Sequence, residues 1–136
     1  MLEAGEGVVE INPPLGIELA GFHRAAGKER VVTGIRQRCE ARALALRVNN
    51  VQAAIISLDV CGFARDLANR VKRGVATRTG IPAENVFVCA THTHSAPTLR
   101  FFRQWGAVSK PYVELVERRA IEAVELAKKD LAEADC

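Results

Sequence analysis

Aromatic side chains make up only 5% of this 136-residue chain, with one Trp and one Tyr. That scarcity argues against a surface built to stack nucleobases. No stretch of Lys and Arg is dense enough for a nucleic-acid arm: the 19 basic and 16 acidic residues are dispersed, for a net charge of +3. No nucleic-acid partner is expected. No apolar run approaches the roughly 20 residues of a membrane-spanning helix, so no transmembrane segment is expected. The opening Met1–Gly7 lacks a basic region followed by an apolar core. The chain as given reads as cytoplasmic, or as secreted if an export signal has been removed. The four cysteines, Cys39, Cys61, Cys89 and Cys136, include no C-x-x-C pair. A zinc knuckle or dithiol redox motif is therefore absent, and three of them sit among apolar neighbours as small hydrophobes.

What remains is ordinary for one globular domain, 49% hydrophobic and 26% charged. Gly7–Ile11 reads as a short strand stopped by Asn12-Pro13-Pro14, and Leu15–Gly27, with His23, reads as a loop. Cys39, Ala41 and Ala43 alternate with Arg38, Glu40 and Arg42, and Ala45 continues the period. Asn49-Asn50 then turns the chain into Gln52–Asp59, so the two halves form a β-hairpin whose second strand reads as buried on both faces. A helix follows from about Ala64 to Arg78, with an apolar stripe of Leu67, Ala68, Val71 and Val75 and with Gly80 as its cap. Val86–Ala90 reads as a short buried strand, placed by the intervening helix in parallel pairing with the hairpin. The last helix starts near Ser109 and ends in Lys128-Lys129. The expected fold is thus α/β: a small mixed sheet, β-hairpin plus parallel strand, flanked by two main helices. Two or three strands make a thin sheet, and its exposed edge offers a route to self-association.

The chemistry concentrates at Thr91-His92-Thr93-His94-Ser95-Ala96-Pro97. Alternate residues of an extended chain share a face, so both imidazoles stand together where a strand opens into a loop. The functional reading is a metal site; the alternative is one histidine bonded in the core and one solvated. Two histidines supply at most half of a four-ligand zinc site. Asp59 closes the second hairpin strand, and a carboxylate there acts either as a cap or loop acceptor, or as a metal ligand or partner of a histidine N–H. Aromatics in Thr98–Gly106 either line an apolar pocket or plug the core.

Four blocks resemble the N-terminal domain of the neutral/alkaline, non-lysosomal ceramidase family. They are Ile11-Asn12-Pro13-Pro14-Leu15-Gly16-Ile17 with Leu19-Ala20-Gly21-Phe22; Gly34-Ile35 with Ala41-Arg42-Ala43-Leu44; Ile55-Ile56-Ser57-Leu58-Asp59; and Thr79–Val86 leading to Ala90–Pro97. Together they span nearly the whole chain. The last is the most specific, being similar to the A-T-H-T-H-S-(G/A)-P segment at the family's metal site. The chain departs from the pattern at Arg36, where members commonly carry His, and at Thr98 and Leu99 in place of glycines.

The resemblance implies hydrolysis of the N-acyl amide of a sphingolipid or related lipid, with one zinc ion. It implies His92 as a zinc ligand, with His94 beside it as either a substrate contact or a group that supports the ligand; His94 and Asp59 are the catalytic candidates. The family's remaining ligands and its serine nucleophile lie downstream of what these residues match, and Ser95 is not that serine. The expectation is one domain, residues 1–136, forming the N-terminal part of a larger catalytic domain and incomplete for catalysis alone. The alternative is a non-catalytic α/β module for ligand binding or assembly, with structural histidines.

Overall fold

The computed structural model describes residues 1–103 and 106–135. Five strands form one mixed sheet in the order β4-β3-β2-β1-β5. They are β1 (Leu2–Glu10), β2 (Glu40–Val48), β3 (Val51–Leu58), β4 (Val86–Ala90) and β5 (Ala132–Glu133), with helices α1 (Arg65–Thr79) and α2 (Lys110–Lys129). The β2–β3 hairpin turns at Asn49-Asn50 with Asn49 at φ 53°, the left-handed conformation that asparagine tolerates. The β3–α1–β4 crossover gives parallel pairing of β3 with β4, Ala54 opposite Val86 through Leu58 opposite Ala90.

The register puts Val9, Ala41, Leu58 and Ala90 in one row and Gly7, Ala43, Ile56 and Val88 in the next. This face and the apolar stripes of both helices, Leu67, Val71 and Val75 of α1 and Val116, Ala120, Ala123, Val124 and Ala127 of α2, form a single core. Both helices therefore cover the same face. That corrects the expectation of a second hairpin strand buried on both faces: Ile55 is 43% exposed, and Leu44, directly across from it, and Phe87 on its other side are exposed too. Two consecutive isoleucines in β3 read as a doubly buried strand, but only Ile56 meets a helix.

The first strand is also longer than its apolar segment. It contains Gly5 and Gly7, which weaken a strand signal in sequence. Here their bare Cα atoms admit the backbone of α2 and of the residues just after it: a Cβ on Gly7 would lie 2.7 Å from Ala127 N, and one on Gly5 would lie 2.7 Å from Leu131 N. After α2 the chain adds the two-residue β5, which pairs with β1 at Glu3 and Ala4 and extends what reads in sequence as a thin sheet to five strands. Between the helices Arg70 pairs with Glu117 at 2.8 Å and Arg78 with Glu125 at 2.9 Å. Among the described residues no helix is long and apolar enough to cross a membrane.

Candidate metal centre

Strands β3 and β4 run parallel, so their C-terminal ends emerge side by side at one edge of the core. Asp59, Val60 and Cys61 leave β3 there, and Thr91 to Ser95 leave β4. The two exits are tied by the backbone: Thr91 N–H donates to Leu58 O at 3.0 Å, and Cys61 N–H donates to Pro97 O at 3.3 Å. Ligands delivered at the carboxyl ends of parallel strands are a recurring arrangement in α/β proteins.

His92 adopts φ 60°, an uncommon backbone state for a residue with a Cβ. The strand thus ends in a tight turn, and the two imidazoles are brought together by that turn instead of by simple strand alternation. Their Nε2 atoms are 3.3 Å apart, with ring centroids 4.9 Å apart. His92 Nδ1 lies 2.6 Å from the carbonyl oxygen of Cys61. A carbonyl only accepts, so Nδ1 carries the proton and donates, which leaves Nε2 as the unprotonated nitrogen of the neutral ring. This is the tautomer a ligating histidine takes when its other nitrogen is held by a carbonyl.

His94 is held from three sides. Its ring lies over the Cα of Gly21, which has φ 100°, and a Cβ there would lie 2.6 Å from His94 Cβ. Phe22 meets the ring edge-on at 5.1 Å. Arg30 covers the Phe22 ring at 4.7 Å and donates from Nη2 to His94 O at 2.6 Å. The segment Leu15–Gly27, a loop in sequence, is pinned to this place by a bridge between Glu18 and Val31. His23 is an exposed residue of that loop.

Cys61 completes the group. Its thiol and ring nitrogens of His92 and His94 all lie within 4.8 Å of one another. Burial pushes the Cys61 thiol above its ordinary pKa. Sequence reading ranked Cys61 as a small buried hydrophobe, which its 1% exposure bears out, but missed its position beside the histidines. The available signal was its place three residues beyond the end of β3, the strand that pairs with β4.

Asp59 stands apart from this group. Its Oδ2 accepts from Glu40 N–H at 3.0 Å, while its own N–H donates to Glu40 O at 3.0 Å. The carboxylate also lines a cleft of about 670 Å³ with Arg36, Arg38, Cys39, Thr93 and Ser95. Thr93 and Ser95 alternate with the histidines, so cleft and histidine pair share one loop. Ser95 N–H donates to Thr93 Oγ1 at 3.2 Å, the local bond of a turn former. Of the loop aromatics, Phe101 is 75% exposed and Phe102 lies under Arg100; Trp105 lies outside the described residues.

No protein-family model matches the chain, and no curated protein sequence matches it significantly. Solved structures do. The neutral ceramidase of Pseudomonas aeruginosa superposes with a TM-score of 0.76 at 19% identity, over 96% of this chain and 22% of that one. A ceramidase complexed with C2 gives 0.77 at 20% identity, over 96% and 21%. The chain thus spans about a fifth of the length of the structures it matches. The resemblance carried by the four sequence blocks is borne out in the fold: this chain has the α/β architecture of one part of neutral ceramidase.

Proposed function

We propose that the chain forms the metal-binding portion of a ceramidase-like, zinc-dependent amidohydrolase acting on the N-acyl amide of a sphingolipid or related lipid. The observation that carries this reading is the 3.3 Å approach of the His92 and His94 Nε2 atoms, on a fold shared with neutral ceramidase. His92 is the ligand, its tautomer set by the Cys61 carbonyl; His94 faces the substrate side, fixed by Gly21, Phe22 and Arg30. Asp59 secures the end of β3 and contributes to the wall of the adjoining cleft. A zinc ion held here supplies Lewis acidity, polarising an amide carbonyl and lowering the pKa of a coordinated oxygen. The nucleophile and further ligands belong to the remainder of a larger catalytic domain, of which residues 1–136 are one part.

The test is the zinc content and affinity of the purified chain, by elemental analysis and competition titration. About one zinc per chain, lost in His92→Ala with the fold intact by circular dichroism, is the expected result. A chain that holds no zinc, or holds it equally well without His92, overturns the reading. In that case the hydrogen bond of Asp59 to Glu40 and that of His92 to Cys61 favour the second reading, a non-catalytic assembly or ligand-binding module with structural histidines.

A further inference from the structure

The cleft of about 670 Å³ that shares a loop with the histidine pair lies within the size range of small-molecule sites. Its lining divides by chemistry. Leu19, Val31 and Ile35 give it an apolar wall, and Arg36 and Arg38 bring two guanidinium groups against the one carboxylate of Asp59. That carboxylate is engaged by Glu40 N–H at 3.0 Å. Arg38 reaches Glu10 at 3.3 Å in an exposed pair, which is worth little in water. Among the described residues no carboxylate pairs with Arg36. The stretch that carries both arginines is anchored at its two ends. Gly16 N–H donates to Val32 O at 2.8 Å and Val32 N–H to Ile17 O at 2.9 Å, while Cys39 N–H donates to Asn12 Oδ1 at 2.8 Å. An excess of one positive charge thus stands on a fixed backbone beside an apolar wall. That suits a ligand with a hydrocarbon part and a single negative charge.

Resting on the reading of this chain as part of an N-acyl amidohydrolase, we propose that the cleft selects an N-acyl amide that carries a carboxylate, with Arg36 as the specificity-determining residue. The acyl side of such a substrate is hydrocarbon, so the charge lies on its amine side. A planar guanidinium takes both carboxylate oxygens in a bidentate pair, which the hydroxyl of a neutral amide cannot match. Thr93 and Ser95 continue the cleft wall along the loop that bears His92 and His94, so a ligand seated on Arg36 extends towards the histidines. Arg38, shared with Glu10, adds charge to the same end of the cleft. Among N-acyl amides this favours acidic ones over neutral ones.

Calorimetric titration of the purified chain with N-octanoylglycine, N-octanoylethanolamine and octanoate, each below its micellar concentration, tests this. N-octanoylglycine is expected to bind about tenfold more tightly than the neutral N-octanoylethanolamine, by a margin that shrinks as salt rises. Arg36→Gln removes about that tenfold and leaves the neutral amide unaffected, and Arg36→Lys restores only part of it. Arg73→Gln, which removes the same charge from the exposed surface of α1, changes neither affinity. Circular dichroism verifies that each variant is folded. No binding of N-octanoylglycine, equal binding of the two amides, or selectivity surviving in folded Arg36→Gln overturns the inference. Octanoate bound as tightly as N-octanoylglycine overturns it too, since the cleft then takes any fatty carboxylate and not the amine side of an amide. The titration needs neither zinc nor turnover, so the two readings fail separately. A chain with this selectivity that holds no zinc keeps the cleft as a carboxylate site and overturns the hydrolase reading.

Discussion

The imidazole of His94 rests on the bare Cα of Gly21, so that a Cβ at position 21 would sit 2.6 Å from His94 Cβ and 2.7 Å from its Cδ2. Gly21 also holds φ 100°, where an L-residue is strained. Gly21→Ala therefore displaces the ring or the loop. The expected outcome is a loss of about 1–3 kcal/mol in urea unfolding, together with weaker Zn²⁺ binding. Gly34→Ala, where nothing lies within 4 Å and φ is ordinary, changes neither.

Arg30 holds His94 through its carbonyl and covers Phe22 with its guanidinium. Arg30→Met keeps apolar cover over the ring but removes the donor. Stability is expected to fall by about 0.5–1.5 kcal/mol. Amide hydrogen exchange across residues 93–96 is expected to quicken, and unchanged exchange there would show that the turn holds without Arg30.

Tyr112, near the start of α2, donates its hydroxyl to Ile11 O at 2.7 Å, with both residues buried. Burial raises the phenol pKa, and the Cys39 and Asp59 charges add to it. The folded state therefore holds this proton more tightly than the unfolded chain. Its contribution is complete below the unfolded tyrosine value of about 10 and is lost as pH rises through the higher folded value. Tyr112→Phe is expected to cost about 1–3 kcal/mol at neutral pH and to flatten the fall in stability above about pH 10. Urea titrations of both proteins from neutral to alkaline pH measure it.

Gly7 lets the α2 backbone approach β1, and a Cβ there meets backbone that no rotamer change moves aside. Gly7→Ala is expected to lower stability by about 1–3 kcal/mol, read from the urea midpoint.

Ile55 and Ile56 are neighbours with opposite fates, one on the open face and one fully buried under the helices. Ile56→Ala is expected to cost about 2–5 kcal/mol. Ile55→Thr stays within about 1 kcal/mol, since threonine suits a strand and no helix loses a contact. Equal costs, measured by urea unfolding, would mean that a second layer covers the open face.

The contrast between these two residues marks what was legible in the chain. The hairpin was readable because Asn49-Asn50 supplies its turn and Ala41, Ala43 and Ala45 its period-2 alternation. Helix α2 was readable from Ser109 and Pro111 at one end and Lys128-Lys129 at the other, and it runs Lys110–Lys129 as those signals predict. Which side of β3 faces a helix was not readable, because Ile-Ile satisfies either answer. The glycine-bearing stretch of β1 and the two-residue β5 carry too little local signal, and tertiary contact decides them. At the site, the His92–His94 pair was legible because it is local. Cys61 was not, because only the parallel pairing of β3 with β4 brings it beside them.

That parallel pairing also has a kinetic consequence. The β2–β3 hairpin closes over two residues, but the His92–Cys61 bond closes over 31, after the α1 crossover has folded back. The end of the sheet that carries His92 and Cys61 is thus expected to be among the last parts of the chain to assemble. A cation held there slows the opening of β4 from β3 and leaves the refolding rate unchanged. Stopped-flow unfolding with and without Zn²⁺ reads this as a change in one limb of the chevron. An ion at this end acts as a clasp on the finished topology and does not help to build it.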